Sequence, residues 1–323
     1  MRRRSVITGL TALLVAPEHP SAQQPSGKIP RVGILTPGDN ERTGFIDAFR
    51  ERLRDLGYVE GRNIILEFRF AGGDRTQGRR LAAELVAASV DVVVEEAFTA
   101  DVAAATERIP IVSVVLGGDP VGSGFALSLA RPGRNITGFT LRQTELNGKR
   151  LELLRTAFPQ ITAVSALVNP ATSKLAFEQI ETAARSMGLG NVQRVEAESA
   201  AALRALGPAV FSVADGVIVL PSGMFYNFHR DVVALVNAAG LPAIYPEREY
   251  ADDGGLMAYG ANVPDNFRRA ADYVDRILKG TKPGDLPIQE PVKFDFVVNL
   301  NTAHALGLTI PPVVLDRATE VIG

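Results

Sequence analysis

The 323-residue chain contains no cysteine, no tryptophan and only three histidines. Without cysteine there can be no disulfide, no thiolate nucleophile, no Cys-ligated zinc, no iron–sulfur cluster and no lipid anchor attached through a cysteine. His19, His229 and His304 are scattered along the chain, so a poly-His metal site is not expected. Charge of one sign is lacking as well: 34 basic residues face 36 acidic ones, a net charge of −2. A nucleic-acid binder would need a basic face, and this balance argues against one. The short signatures of nucleotide, zinc-protease and serine-hydrolase chemistry are missing, and the glycine-rich residues 117–124 lack dinucleotide-binding spacing. No catalytic residue, metal or cofactor is therefore expected, and the aromatic work falls to 15 Phe and 6 Tyr. What the chain does have is apolar mass, at 46% hydrophobic residues, enough for a buried core.

The first residues read as an address. Arg2-Arg3-Arg4 precedes an uncharged apolar stretch, residues 5–16, and then Pro17, Pro20, Ser21 and Ala22. A membrane-spanning helix needs roughly 20 apolar residues, so this stretch is too short to span. Residues 1–22 are expected to be a signal peptide cut near Ala22, with the twin-arginine route open beside the general one. The expected product is extracytoplasmic (periplasmic), does not span the membrane and is a monomer.

From Pro30 onward, short β-branched runs alternate with amphipathic stretches. Residues 31–35, 64–70, 91–94 and 111–116 read as strands, and residues 43–56 and 79–88 as helices. The order begins again at Ala163: strands at 163–168, 192–196, 216–220 and 243–245, helices at 175–187 and 231–239. Ile109-Pro110-Ile111 in the first half has a counterpart in Leu241-Pro242-Ala243. This is the pattern of an α/β protein with two Rossmann-like lobes, each built on a parallel-rich sheet. Residues 138–144 join the lobes without a flexible linker composition. The tail adds a strand at 255–259, a helix at 264–278, an irregular connector at 280–291 and a strand at 292–299. One lobe does not need so much chain. The economical arrangement returns the helix bearing Phe267, Ala271, Val274 and Leu278 to the first lobe and the final strand to the second. The expected domains are 29–140 plus 262–290, and 141–261 plus 291–323.

In open parallel sheets, ligands bind beyond the carboxyl ends of the strands. The loops expected there carry Thr36 and Asp39, Glu95 to Thr99, Asp119, Asn169, Ser222 to Tyr226, and Tyr245 to Glu247. Hydroxyls and helix N–H groups suit a carboxylate, Asp119 suits an ammonium, and Phe98, Phe225, Tyr226 and Tyr245 could wall an apolar body. The candidate ligand-binding residues are Thr36, Phe98, Thr99, Asp119, Asn169, Ser222, Phe225 and Tyr245, with Thr99 and Asp119 facing Asn169, Ser222 and Phe225 across one pocket. Each has a bland alternative: the hydroxyls as helix caps, Asp119-Pro120 as a turn, Phe225 and Tyr226 as core. Glu95 and Glu96 read as solvated or paired charges, and His229 and His304 as structural or exposed.

Several stretches carry a family resemblance: Leu56-Gly57-Tyr58-Val59-Glu60-Gly61-Arg62-Asn63, Gly118-Asp119-Pro120-Val121-Gly122-Ser123-Gly124, Leu129-Ala130-Arg131-Pro132-Gly133, and Gly148-Lys149-Arg150-Leu151-Glu152-Leu153-Leu154. Leu241-Pro242-Ala243-Ile244-Tyr245-Pro246, Gly254-Gly255-Leu256-Met257-Ala258-Tyr259-Gly260 and Ala305-Leu306-Gly307-Leu308-Thr309-Ile310-Pro311 continue it. The chain resembles substrate-binding components of ABC transporters of the tryptophan/tyrosine-type uptake family. The resemblance implies a type I periplasmic-binding-protein fold with three hinge crossovers and an interlobe ligand. It also implies an ABC permease as partner and an amino acid, possibly aromatic, as the leading ligand class. Members present a Gly-Thr-Pro-Ala-like turn after the third strand; here Ala97-Phe98-Thr99-Ala100 stands in its place, behind Glu95 and Glu96. A sensory binding protein of the same fold and a secreted α/β enzyme are the alternatives.

Overall fold

The computed structural model describes residues 28–38, 44–72, 74–117, 119–141, 146–190 and 192–323. The expected leader, Asp39, Gly118 and residues 142–145 lie outside them. The first lobe runs β1 (Arg31–Thr36), α1 (Gly44–Asp55), β2 (Ile65–Phe70), α2 (Gly78–Ala87), β3 (Val92–Glu96), α3 (Thr99–Ala105), β4 (Ile111–Leu116) and β5 (Ile136–Thr140). The second continues with α4 (Asn147–Ala157), β6 (Val164–Val168), α5 (Lys174–Ser186), β7 (Gln193–Glu196), α6 (Ala200–Ala205) and β8 (Gly216–Val219). It goes on through α7 (Gly223–Asn227), α8 (His229–Ala238), β9 (Ala243–Tyr245), α9 (Arg248–Asp252) and β10 (Met257–Ala261). The tail comprises α10 (Val263–Leu278), β11 (Phe294–Asn299), α11 (Leu300–Ala305), α12 (Pro312–Leu315) and β12 (Glu320–Ile322).

The first sheet has strand order β2-β1-β3-β4-β5, all parallel. The second has order β12-β11-β10-β9-β8-β6-β7, parallel except where β11 meets β10. Period-two alternation sorts the first lobe's core onto two faces. Val32, Ile34, Val92 and Val94 pack with Phe49 and Leu53 of α1 and Phe267 and Val274 of α10. Leu35 and Val93 pack instead with Leu81 and Leu85 of α2 and Val102 of α3. Because both faces are covered, every residue of β3 is buried, including two glutamates.

Residues 138–144 are not simply a connector. Gly138, Phe139 and Thr140 belong to β5, which pairs with β4. Gly138 has φ +141°, and a Cβ there would lie 1.9 Å from the carbonyl oxygen of Ser113, so only glycine lets the two strands approach. The lobes are crossed three times: after β5, between β10 and α10, and on the way to β11. Helix α10 packs along α1, with an Arg52–Asp272 ion pair of 2.8 Å, while β11 lies between β10 and β12 of the second sheet. The second and third crossings are tied side by side. Asn262 caps α10 by accepting from the Asp265 N–H at 2.7 Å, and its own amide donates to Asp295 at 2.9 Å.

Candidate functional site

The parallel strands bring their carboxyl ends, and the turns that follow them, to one end of each sheet. In the first lobe these turns largely complete themselves. Glu95 is fully buried. It accepts from the Phe98 N–H and from the Thr99 hydroxyl, both at 2.6 Å, and so closes the turn that starts α3. The Thr99 hydroxyl also lies 3.3 Å from the Ser113 hydroxyl. The turn is tight enough to put Ala97 at φ +62°, where a side chain is disfavoured by about 1–2 kcal/mol. Glu95 is therefore paired rather than solvated. Thr36 is buried at the end of β1, with its carbonyl accepting from the Ala71 N–H at 3.0 Å.

Two expected cleft residues of this lobe have other roles. Phe98 is 1% exposed and sits in the core between α2 and α3, because the left-handed step at Ala97 turns the chain back over the sheet. Asp119 is exposed and caps its own turn: its carboxylate accepts from the Val121 N–H at 3.0 Å and its carbonyl from Ser123 at 2.9 Å.

The second lobe presents Asn169 at the end of β6, where Oδ1 accepts from the Ala171 N–H at 3.0 Å. Ser222 follows β8 and caps α7 through the Met224 N–H at 3.3 Å. Phe225 and Tyr245 are both fully buried in the core shared with Val217, Val219 and Val232, so neither faces a cleft as an aromatic wall. Tyr245 stacks on Tyr250, ring centroids 5.2 Å apart. From Tyr250 the rings continue to His229 at 5.8 Å and from there to Tyr226 at 6.0 Å. His229 is fixed by both nitrogens: Nδ1 lies 2.6 Å from the Tyr226 carbonyl and Nε2 lies 2.7 Å from Asp253.

Tyr226 lies on α7, just after β8 of the second lobe. Its phenol is held well above the ordinary range by burial, then by Glu249, by Glu96 of the first lobe and by Glu247. Arg150 of α4 is fully buried. Its guanidinium donates to the Tyr259 carbonyl at 2.7 Å, to Asn147 Oδ1 at 2.7 Å and to the Pro246 carbonyl at 3.2 Å. Burial lowers its pKa to about 10, with Glu247 opposing. Burial pushes Glu249 up to about 7. Glu249, Tyr250 and Arg150 are not among the candidate residues, while Tyr226 is named there only as one of the rings able to wall an apolar body. Tyr226 stood in a loop already singled out, and Arg150 in a quoted stretch whose helix went unassigned.

Among the described residues no three His, Asp or Glu side chains are grouped to hold a metal. Two surface hollows, one lined by Pro208, Phe211 and Leu241 and the other by Arg50, Tyr58 and Leu66, lie away from the strand-end turns. No helix among the described residues is long and apolar enough to cross a membrane.

Comparison with known proteins fits this architecture. The profile of the family described as ABC transporter substrate binding protein matches residues 37–322. A relative described as Tyrosine-binding protein, from Clostridioides difficile (strain R20291), is 26% identical over 275 residues, covering 84% of this chain and 77% of that protein. The crystal structure of a conserved domain protein from Vibrio cholerae O1 biovar El Tor has TM-score 0.80 at 26% identity, covering 91% of this chain and 100% of that one. An ABC domain from Streptococcus pneumoniae in complex with L-Trp also has TM-score 0.80, at 23% identity and the same coverage of 91% and 100%.

Proposed function

This chain belongs to the ABC transporter substrate-binding protein family, and we propose that it captures an amino acid in the cleft between its lobes and hands it to a membrane permease. An aromatic amino acid is the leading class, supported by the Tyr-binding relative and the L-Trp-bound structural neighbour. What supports the reading is that Thr36 and Thr99 of one lobe and Asn169 and Ser222 of the other stand at or just beyond the carboxyl ends of parallel strands, where open sheets of this kind bind ligands. Ligand contacts to both lobes favour closure by differential affinity, and three crossovers let the lobes move as rigid bodies.

The reading includes no covalent chemistry. Thr99 donates its hydroxyl to Glu95 and Ser222 accepts from the Met224 N–H, so Thr99 keeps acceptor lone pairs and Ser222 keeps its O–H for a ligand. It includes export through the N-terminal 22 residues, a periplasmic working place, a monomer, and lobes formed by 29–140 plus 262–290 and by 141–261 plus 291–323. Within the cleft, Thr36, Thr99, Asn169 and Ser222 remain the proposed polar contacts, joined by Tyr226.

A thermal-shift screen of the protein against amino acids and small organic acids tests this. A ligand at 100 times its dissociation constant adds about 2.7 kcal/mol, enough for a visible shift. A shift with L-tyrosine or L-tryptophan is the expected result. Silence across the whole amino-acid panel overturns the reading.

A further inference from the structure

The α7 turn of the second lobe, with Ser222 as its cap and Tyr226 on it, is tied down by one ring. Helix α8 begins at His229, whose imidazole is engaged on both sides. Nδ1 lies 2.6 Å from the Tyr226 carbonyl oxygen, and Nε2 lies 2.7 Å from Asp253, which follows the last turn of α9. A single side chain thus links the end of α7 to the end of α9.

Both of its partners can only accept. A backbone carbonyl has no proton to give. The Asp253 oxygen that meets His229 also accepts from Arg230 Nε at 3.1 Å. A neutral imidazole has one N–H and one bare lone pair, so either tautomer sets a lone pair against an oxygen at one of the two contacts. Only the imidazolium, with two donors, satisfies both at once. When the ring loses a proton, the charged acceptor keeps the stronger bond, and the contact to the Tyr226 carbonyl is the one given up.

The groups around the ring come from three helices. On α8, Arg230 turns to Asp253 and Asp231 pairs with Arg204 at 2.8 Å. From α9, the Tyr250 ring meets His229 edge-on at 5.8 Å, and Glu249 acts on it electrostatically. From α7, the Tyr226 ring lies 6.0 Å away. Glu249, pushed up to about 7 by burial, titrates in the range where histidine does, so the two have to be separated by substitution. With 25% and 26% of their side chains exposed, His229 and Asp253 are partly screened, which keeps the expected effect to several-fold.

We propose that His229 is a positioning residue for ligand capture: as the imidazolium it holds the α7 turn, with Ser222 and Tyr226, against α9 in the arrangement that receives the ligand, and loss of its proton loosens that turn and weakens binding. This rests on the reading of Ser222 and Tyr226 as ligand contacts and leaves the ligand class of that reading unchanged.

The test is titration calorimetry of the full chain with L-tyrosine and L-tryptophan at about pH 5.5 and about pH 8, which bracket the range where histidine changes charge. Both amino acids stay zwitterionic between them, so a change in affinity belongs to the protein. The one that binds should do so about fivefold more weakly at the higher pH. His229→Gln, which carries no charge, should bind at both pH values about as weakly as the unmodified protein does at the higher one. Glu249→Gln should keep the dependence. By reciprocity, bound ligand should hold the ring proton about fivefold more tightly, which NMR of the His229 ring nitrogens reads as a titration moved to higher pH. Circular dichroism checks folding of each variant. If His229→Gln does not fold, the affinity and ring-nitrogen titrations of the unmodified protein carry the test.

A histidine that only stabilises the lobe would lower the melting temperature of the variant and leave affinity independent of pH. Equal affinity at the two pH values overturns the inference and leaves the amino-acid reading standing. So does a ring titration unmoved by saturating ligand, or a pH dependence kept in His229→Gln. Binding by neither amino acid at either pH overturns the aromatic amino-acid reading itself, and the inference falls with it.

Discussion

The two lobes finish the ends of their strands differently. In the first, the turn after β3 uses Glu95 to satisfy its own Phe98 N–H and Thr99 hydroxyl and the Asp119 turn caps itself, while the Thr140 hydroxyl at the end of β5 is buried without a partner. In the second, Arg150 is buried beneath the turn after β9 as its countercharge, while the hydroxyls of Tyr245 and Tyr250 and an oxygen of Glu249 go unanswered. A self-satisfied turn is a rigid wall with little left to offer a ligand. A lobe with unanswered polar atoms is under-stabilised when empty and has the most to gain on binding. Recognition energy should therefore concentrate in the second lobe, and substitutions there should have the larger effects.

The largest effect is expected at Arg150. Arg150→Met keeps apolar bulk but leaves Glu247 without its countercharge and two carbonyls without a donor. Breaking a buried pair from one side costs about 3–5 kcal/mol. Denaturant unfolding measures it, and a loss below about 1 kcal/mol would remove Arg150 as the keystone of that lobe.

Glu249 should give the next largest effect, read as a pH profile. Burial raises its folded value to about 7 from an ordinary 4.5, against opposing His229 and Arg248. The folded state then holds the proton more tightly than the unfolded chain. Its contribution is fully present below about 4.5 and is lost as pH rises through about 7. The unliganded protein should lose on the order of 2 kcal/mol across that window from this group, allowing for partial solvent access. Glu249→Gln should flatten the profile. An equally steep slope in the variant would assign the titration elsewhere.

The sequence makes the scaffold easier to read than the site. The strands at Ile111–Leu116 and Ala243–Tyr245 have the bounds expected from their β-branched runs and preceding prolines, because buried parallel strands read as continuous apolar stretches. The packing of α10 on α1 follows from a tail too long for one lobe. Side-chain direction at the strand ends does not follow in the same way. A register shift between Glu95 and Glu96 and the left-handed Ala97 break the period-two alternation, sending Phe98 into the core. Arg150 lies on the buried stripe of α4 with Asn147, Leu151 and Leu154, but a charged residue there needs partners that the sequence does not show, the carbonyls contributed by β10 and by the turn after β9. Thr36, Asn169 and Ser222 are at strand ends as the topology requires, since that placement needs only the element order.

The same comparison predicts a small gain in the first lobe. Ala97 holds φ +62° to keep Glu95 over the α3 turn. Ala97→Gly relieves about 1–2 kcal/mol of steric cost and gives back part of it as unfolded-chain entropy, for a net stabilisation of about 0.5–1 kcal/mol. Thermal unfolding should show a rise of a few degrees. A fall would mean that the Ala97 side chain contributes packing that outweighs the strain.

Asp119 should have the smallest effect. It looked, from sequence, like the partner of a ligand ammonium. In the structure its carboxylate accepts from the Val121 N–H at 3.0 Å, and the side chain lies so close to Gly122 that a Cβ on that glycine would sit 2.5 Å from Asp119 Oδ2. That is the geometry of an exposed turn folded on itself. Removing such a cap loses one solvent-screened hydrogen bond, about 0.5–1 kcal/mol. Asp119→Ala should therefore lower stability slightly and leave ligand affinity within about twofold, because the acceptor lost was facing its own backbone. A loss of affinity of about tenfold or more, with stability unchanged, would mean that the turn opens to reach the ligand. The first lobe's strand ends would then be no more self-sufficient than the second's.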